Sequence, residues 1–173
     1  MKTFQEFMVE CSHLEESSLS RIKSKHDKGG VAVLSGSRGD KSSKENRARA
    51  KSLDKDIRSK FGKGATKATG KYTEKDDKTG KETKVKERSH IVSSGKKGKR
   101  KFKKAIKSLG KKYGQDSVLV QKKKGTAGLT ATRKGGLGDG PKNKSASLGK
   151  MRPGRANKEG DTTVKKKPFT YMK

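Results

Sequence analysis

The chain has 173 residues and carries 48 Lys plus Arg against 18 Asp plus Glu, a formal charge of +30 at pH 7. Such a charge opposes collapse by self-repulsion unless something negative offsets it. With 25% hydrophobic residues and no Trp, a fully packed core of that length is not expected; a core of roughly 90–100 residues with solvated or partner-bound segments is. Cys11 is alone, which excludes an intramolecular disulfide, and His13, His26 and His90 are scattered, so no metal site and no cofactor is expected. No apolar run reaches the roughly 18 residues of a membrane span, so no membrane partner is expected. The first residues lack the basic-then-apolar pattern of a secretory signal.

In chain order, Phe4, Phe7, Met8, Cys11 and Leu14 fall on one helical face within an acidic stretch, which predicts an N-terminal docking helix over 1–24. A linker follows to residue 29. Val31 to Ser35 is an apolar run of strand length. Ser42 followed by Glu45 is a capping-box signature, and Ala50, Leu53, Ile57 and Phe61 behind it predict a helix over 43–61, stopped by Gly62. Residues 65–75 and 81–93, rich in Thr, Tyr and Val around a D-D-K-T-G-K tip, read as a β-hairpin. Phe102, Ile106, Leu109 and Tyr113 mark a second amphipathic helix over 97–113, weakened by Gly110. Strands over 118–120 and 126–132 complete a second hairpin. From Arg133 the sequence is Gly, Lys, Ser, Asn and Pro without periodicity, ending in a Phe169–Met172 plug.

The expected fold class is therefore α+β: one small domain over 30–132 in strand–helix–hairpin–helix–hairpin order. An N-terminal docking helix and linker over 1–29 and an extended basic arm over 133–173 flank it. Phe4, Phe7, Met8, Phe169 and Tyr171 are the expected partner-docking side chains.

The basic side chains suggest counterion-releasing contact with DNA or an acidic partner. The candidates are Lys96, Lys97, Lys99, Arg100, Lys101, Lys103, Lys104, Lys107, Lys111 and Lys112 on and before the second helix. Lys122, Lys123 and Lys124 in the following turn join them, with Arg152, Arg155, Lys165, Lys166 and Lys167 in the arm. No zinc-finger, helix-turn-helix or Walker pattern is present. Glu74 and Glu87 lie on the two arms of the first hairpin, where they could face each other with Arg38 and Arg49 near; structural ion pairing is the expected use. No nucleophile with a base is evident, so no catalytic residue is expected.

Five pieces carry a resemblance: V-A-V-L-S-G-S-R at 31–38, S-K-E-N-R-A-R at 43–49, G-K-Y-T-E at 70–74, V-K-E-R-S-H-I-V at 85–92 and L-G-K-K-Y-G-Q-D-S-V at 109–118. Together they resemble a family of small α+β proteins of unknown activity from bacteria and phages. The resemblance implies that Arg38, Glu45, Asn46 and Arg49 at the strand-to-helix junction gather with Glu74, Glu87 and Ser89 of the hairpin on one surface. The opening M-K-T-F-Q-E-F and closing K-K-P-F-T-Y are similar to the ends of small virion proteins of marine cyanophages.

These likenesses imply a non-enzymatic virion structural protein of the tail or head–tail machinery, made in the host cytoplasm. It would form a homo-oligomeric ring against portal, adaptor or tail subunits and packaged DNA. The first alternative is a free, non-specific nucleic-acid-binding protein. The second, an enzyme, would need a concave cluster around Arg38, Asn46 and Glu87 with a perturbed carboxylate.

Overall fold

The apolar run Val31–Ser35 forms strand β1. The computed structural model describes residues 19–25, 30–75, 79–95, 97–121, 126–137, 145–155 and 160–172. Residues 19–25 are helical (α1). After β1 come α2 (Ser43–Phe61), β2 (Thr66–Lys75), β3 (Glu82–Ser93), α3 (Lys99–Lys112), β4 (Ser117–Gln121) and β5 (Thr126–Ala131). Then follow β6 (Ser145–Pro153), β7 (Gly160–Val164) and β8 (Lys167–Met172). The expected docking residues Phe4, Phe7 and Met8 lie outside the described residues.

Local chemistry sets the helices. The Ser42 hydroxyl accepts from the Glu45 N–H, and the Glu45 carboxylate accepts from the Ser42 N–H at 2.9 Å, a reciprocal cap. At the other end Gly62 takes φ 69°, and its N–H closes on the Arg58 carbonyl at 2.8 Å. From the buried stripe Ala50, Leu53, Ile57, the last two pack with Phe102, Ile106 and Leu109 of α3 and its cap residue Tyr113 over Ala32 and Leu34 of β1 and Val118 and Val120 of β4. Full burial of Leu53, Ile57, Phe102 and Ile106 contributes about 1.5–3 kcal/mol each as an upper bound. Gly110 is required here, not merely tolerated: a Cβ would sit 2.4 Å from Val118 Cγ1 and 2.8 Å from Thr132 Cγ2, so α3 could not lie down on β4.

The α+β expectation is overturned by what these elements build. All eight strands pair antiparallel and close into one barrel, in the order β1-β3-β2-β7-β8-β6-β5-β4. The segment after Arg133, expected as an extended arm, supplies three of the staves. Without them β2 and β5 would each present an unpaired edge. The polar composition misled because a barrel strand needs apolar residues on its inner face only. Here Met151, Val164 and Phe169 suffice, packed with Val31, Ala68 and Ile91 and with Leu19 and Ile22 of α1. Phe169, expected to anchor a neighbour, has 0% exposed surface within its own barrel. Tyr171 meets it edge to face at 5.9 Å.

The two clusters divide the molecule. Val31, Ile91 and Phe169 fill one end of the barrel interior as a floor. Four residues on from Val31 and two on from Val33, β1 reaches Ser35, where the interior opens.

Candidate active site

Residues paired across strands share a face, and the registers follow the wall of the opening. Val33 pairs with Ile91 and with Leu119, and Leu119 pairs with Leu129, which sets an apolar belt. Above it Ser35 pairs with Ser89, and Glu87 with Gly70. The resulting cavity of about 860 Å³ is lined at depth by Leu119, Leu129, Leu148, Phe169 and Tyr171 and higher by Ser35, Glu87, Ser89, Gln115 and Asp161. An eight-stranded barrel has room for one small ligand inside.

Glu87 is half-buried on this wall. The Ser35 hydroxyl lies 2.9 Å from the Glu87 carboxylate and 3.0 Å from the Arg88 carbonyl, and accepts from the Ser37 N–H at 3.1 Å. Gly70 keeps the space in front of the carboxylate open. A Cβ there would approach the Ser89 hydroxyl to 3.0 Å and Glu87 Cγ to 3.7 Å. Gln115 lines the cavity, and its Oε1 is buried with no hydrogen-bond partner; Asp161 Oδ1 is also buried and unpartnered, but its register partner Lys71 sets that side chain on the outer face of the sheet. Unpaired buried acceptors are costly. Their natural complement is a ligand rich in N–H donors or positive charge. Burial pushes the Tyr171 phenol up, so it stays protonated in the cavity wall.

The rim is made by loops 36–41, 113–117 and 132–136. Asn46 clasps the first: its side chain accepts from the Arg38 N–H at 2.9 Å and donates to the Arg38 and Lys41 carbonyls at 3.0 and 3.1 Å. Arg49 ties two loops together by donating to the Gly36 carbonyl at 2.7 Å and to the Tyr113 carbonyl. Arg38 pairs with Asp40 at 2.8 Å and donates to the Gly114 carbonyl at 3.2 Å. Arg133 pairs with Asp116 at 2.6 Å. The hydrogen bond from each guanidinium lowers its aspartate below the usual carboxylate value, so both rim carboxylates stay ionised.

Of the residues the resemblance gathered, Arg38, Glu87 and Ser89 line the cavity, and Asn46 and Arg49 brace its rim from α2. Glu45 caps the helix instead. Glu74 does not oppose Glu87: it pairs with Thr83, and its side chain lies outside the described residues. The expected carboxylate–guanidinium cluster is therefore absent among the described residues, because Arg38 and Arg49 spend their donors on Asp40 and on loop carbonyls. Sequence reasoning missed Ser35, Gln115 and Asp161. The signal available for the first two was their place in the quoted S-G-S-R and G-Q-D-S pieces, directly beside strand ends.

The lysines expected to meet a partner are elsewhere. Lys99, Arg100, Lys101, Lys103, Lys104, Lys107, Lys111 and Lys112 lie exposed on α3, outside the barrel. Lys112 is paired with Asp56 at 2.7 Å, and Lys97 sits 5.9 Å from the centre of the Phe61 ring. Arg152, Arg155, Lys165 and Lys166 are exposed and Lys167 half-buried; Lys96 and Lys122–Lys124 are outside the described residues.

Comparison with known proteins brings in the chemistry. A family model described as the S-Adenosylmethionine lyase family matches residues 32–173, which covers every strand of the barrel but the first residue of β1. No curated protein matches the chain. The match overturns the unknown-activity virion family, the structural and nucleic-acid-binding functions and the non-enzymatic assignment drawn from the sequence. Charge alone points to a polyanion, whereas no lysine of α3 lines the cavity. The match runs through the tail that closes the barrel, and the chain belongs to the S-adenosylmethionine lyase family.

Proposed function

We propose that the barrel cavity binds S-adenosylmethionine and breaks its Cγ–S bond without adding water. The observation that carries this beyond the family match is the pair of acceptors on the wall: Glu87, and Gln115 Oε1, which is buried and unpartnered. S-adenosylmethionine brings an α-ammonium, an adenine amino group and a sulfonium, donors and positive charge that such acceptors can meet. The half-buried Leu119, Leu129 and Leu148 offer the apolar slot a purine ring needs, with Phe169 beneath them.

A lyase adds no water, so the substrate supplies its own nucleophile. Its carboxylate oxygen attacks its own Cγ, and the C–S electron pair leaves with sulfur. A five-membered lactone and a neutral thioether, methylthioadenosine, result. No proton moves, and a positive and a negative charge cancel. Placing both ions in a low-dielectric cavity therefore favours the transition state over the ground state. Arg38 and Arg133 are already committed to Asp40 and Asp116, so they leave the substrate carboxylate free to attack. The Glu87 carboxylate suits the ammonium, whose charge is the same before and after reaction.

Incubating the purified protein with S-adenosylmethionine and reading products by mass spectrometry and NMR tests the proposal. Equimolar methylthioadenosine and homoserine lactone are expected. Recovery of intact substrate would overturn the function, and a 2-aminobut-3-enoate product would replace ring closure by elimination.

Salt dependence gives a second expectation. The substrate carries net charge +1 and the protein +30, so the long-range field repels it. Raising ionic strength from about 10 mM to about 150 mM shortens the screening length from about 30 Å to about 8 Å. That hides distant lysines and leaves the cavity carboxylates in control. kcat/KM is expected to rise about 2–5-fold over that range, the opposite of what a cation-attracting surface would give.

A further inference from the structure

On the outer face of the β2–β3 hairpin, away from the barrel interior, lies a separate groove of about 580 Å³. Its floor is built by strand register. Lys71 pairs with Lys86, Thr69 with Arg88 and Lys67 with His90. Like charges set directly across a ladder are destabilising, and here one such pair is flanked by two more cations. The only carboxylate in register with them is Asp161, across from Lys71 on β7, and no ion pair joins the two among the described residues.

The walls repeat the pattern. Arg47, Lys51 and Asp54 of α2, at helical spacing, face the groove from one side. Lys165 and Lys166 close it from the other, both in the left-handed region at φ 46° and 67°, a conformation that non-glycine residues adopt at a cost. Among the described residues Asp54 is the one acid in the lining, and it is already paired with Arg58 at 3.2 Å. None of the eight cations is paired with a carboxylate among the described residues. At the base His90 is 3% exposed, and its Nδ1 has no hydrogen-bond partner.

We propose that this groove is a binding site for a small polyphosphate, either inorganic or the phosphate chain of a nucleotide. Eight uncompensated cations converging on one concavity match a short chain of multiply charged tetrahedral anions, and the unpartnered imidazole gives that chain a polar contact at depth. The volume suits a ligand of nucleotide size. The site shares Lys71, Ser89 and strands β2 and β3 with the lyase cavity but none of its rim loops. It stands whether or not the lyase reading holds.

Isothermal titration calorimetry on the full chain, with tripolyphosphate and with ATP at fixed ionic strength, tests it. One site per chain is expected. Tighter binding of ATP assigns a nucleotide, and equal binding assigns the phosphate chain alone. The triple variant Lys51→Gln, Lys86→Gln, Arg88→Gln should weaken binding more than about 10-fold. The charge-matched variant Lys103→Gln, Lys104→Gln, Lys107→Gln on α3 should change it less than about 2-fold. Equal loss in both variants, several sites per chain, equal competition by sulfate, or stronger capture of a short DNA duplex in the same groove would overturn the proposal. Thermal melting of each variant without ligand shows that it is folded.

Discussion

Glu87→Gln is expected to lower kcat/KM for S-adenosylmethionine about 100-fold, because a hydrogen bond to a charged partner in a secluded site is worth about 1.5–3 kcal/mol. The amide keeps the shape of the side chain, and its oxygen can still accept from Ser35. Only the charge facing the ammonium goes. Since that ammonium keeps its charge through the reaction, the loss should fall mainly in KM, with kcat changed much less. Glu87 is half-buried, so the melting temperature should move by less than about 4 °C, equivalent to under 1 kcal/mol for a domain of this size. Steady-state kinetics with a parallel melt reads both quantities. Undiminished kcat/KM would remove Glu87 from the site, and an equal fall in kcat and kcat/KM would mean that it acts on the breaking bond.

Phe169→Ala should be the most damaging single change to the fold. The ring is wholly buried among Val31, Ile91, Met151 and Val164, and truncating such a residue costs about 3–5 kcal/mol. Typical domains hold only about 5–15 kcal/mol in total. Urea unfolding should show the midpoint falling by a third or more, with cleavage activity lost in parallel because the floor of the cavity goes. A midpoint within experimental error of the parent would mean that β8 does not close the barrel. The same residue read as an external anchor predicts no such loss, so the experiment separates the two pictures directly.

The elements visible in the sequence were those with local signals. Ser42 and Glu45 announce the start of α2, and Ala50, Leu53 and Ile57 its buried face; Phe102, Ile106, Leu109 and Tyr113 do the same for α3. β6, β7 and β8 had no such signal. Each carries one or two inward apolar residues among Ser, Thr, Gly and Lys, and their partners lie far away in the chain: Thr69 meets Thr163, and Pro153 meets Phe169. Closure is a property of the whole ring, and no window of ten residues contains it. The candidate site was legible in part for the same reason. The resemblance placed Arg38, Asn46, Arg49, Glu87 and Ser89 together, and they do surround one opening. Nothing in residue type separated the acid that caps a helix, Glu45, from the acid that lines the cavity, Glu87. That distinction comes from register, Gly70 standing opposite Glu87.

Ring closure also gives the abundant lysines a second use. Pairings as distant as β2 with β7 form late, since a long loop must close before they are rewarded. Until then the nascent sheet offers open flanks on which another unfinished molecule could template itself. Lys67 and Lys71 on β2, Lys84 and Lys86 on β3 and Lys150 on β6 are placed as gatekeepers, making such cross-molecular zippering electrostatically unwelcome while leaving the correct intramolecular match intact.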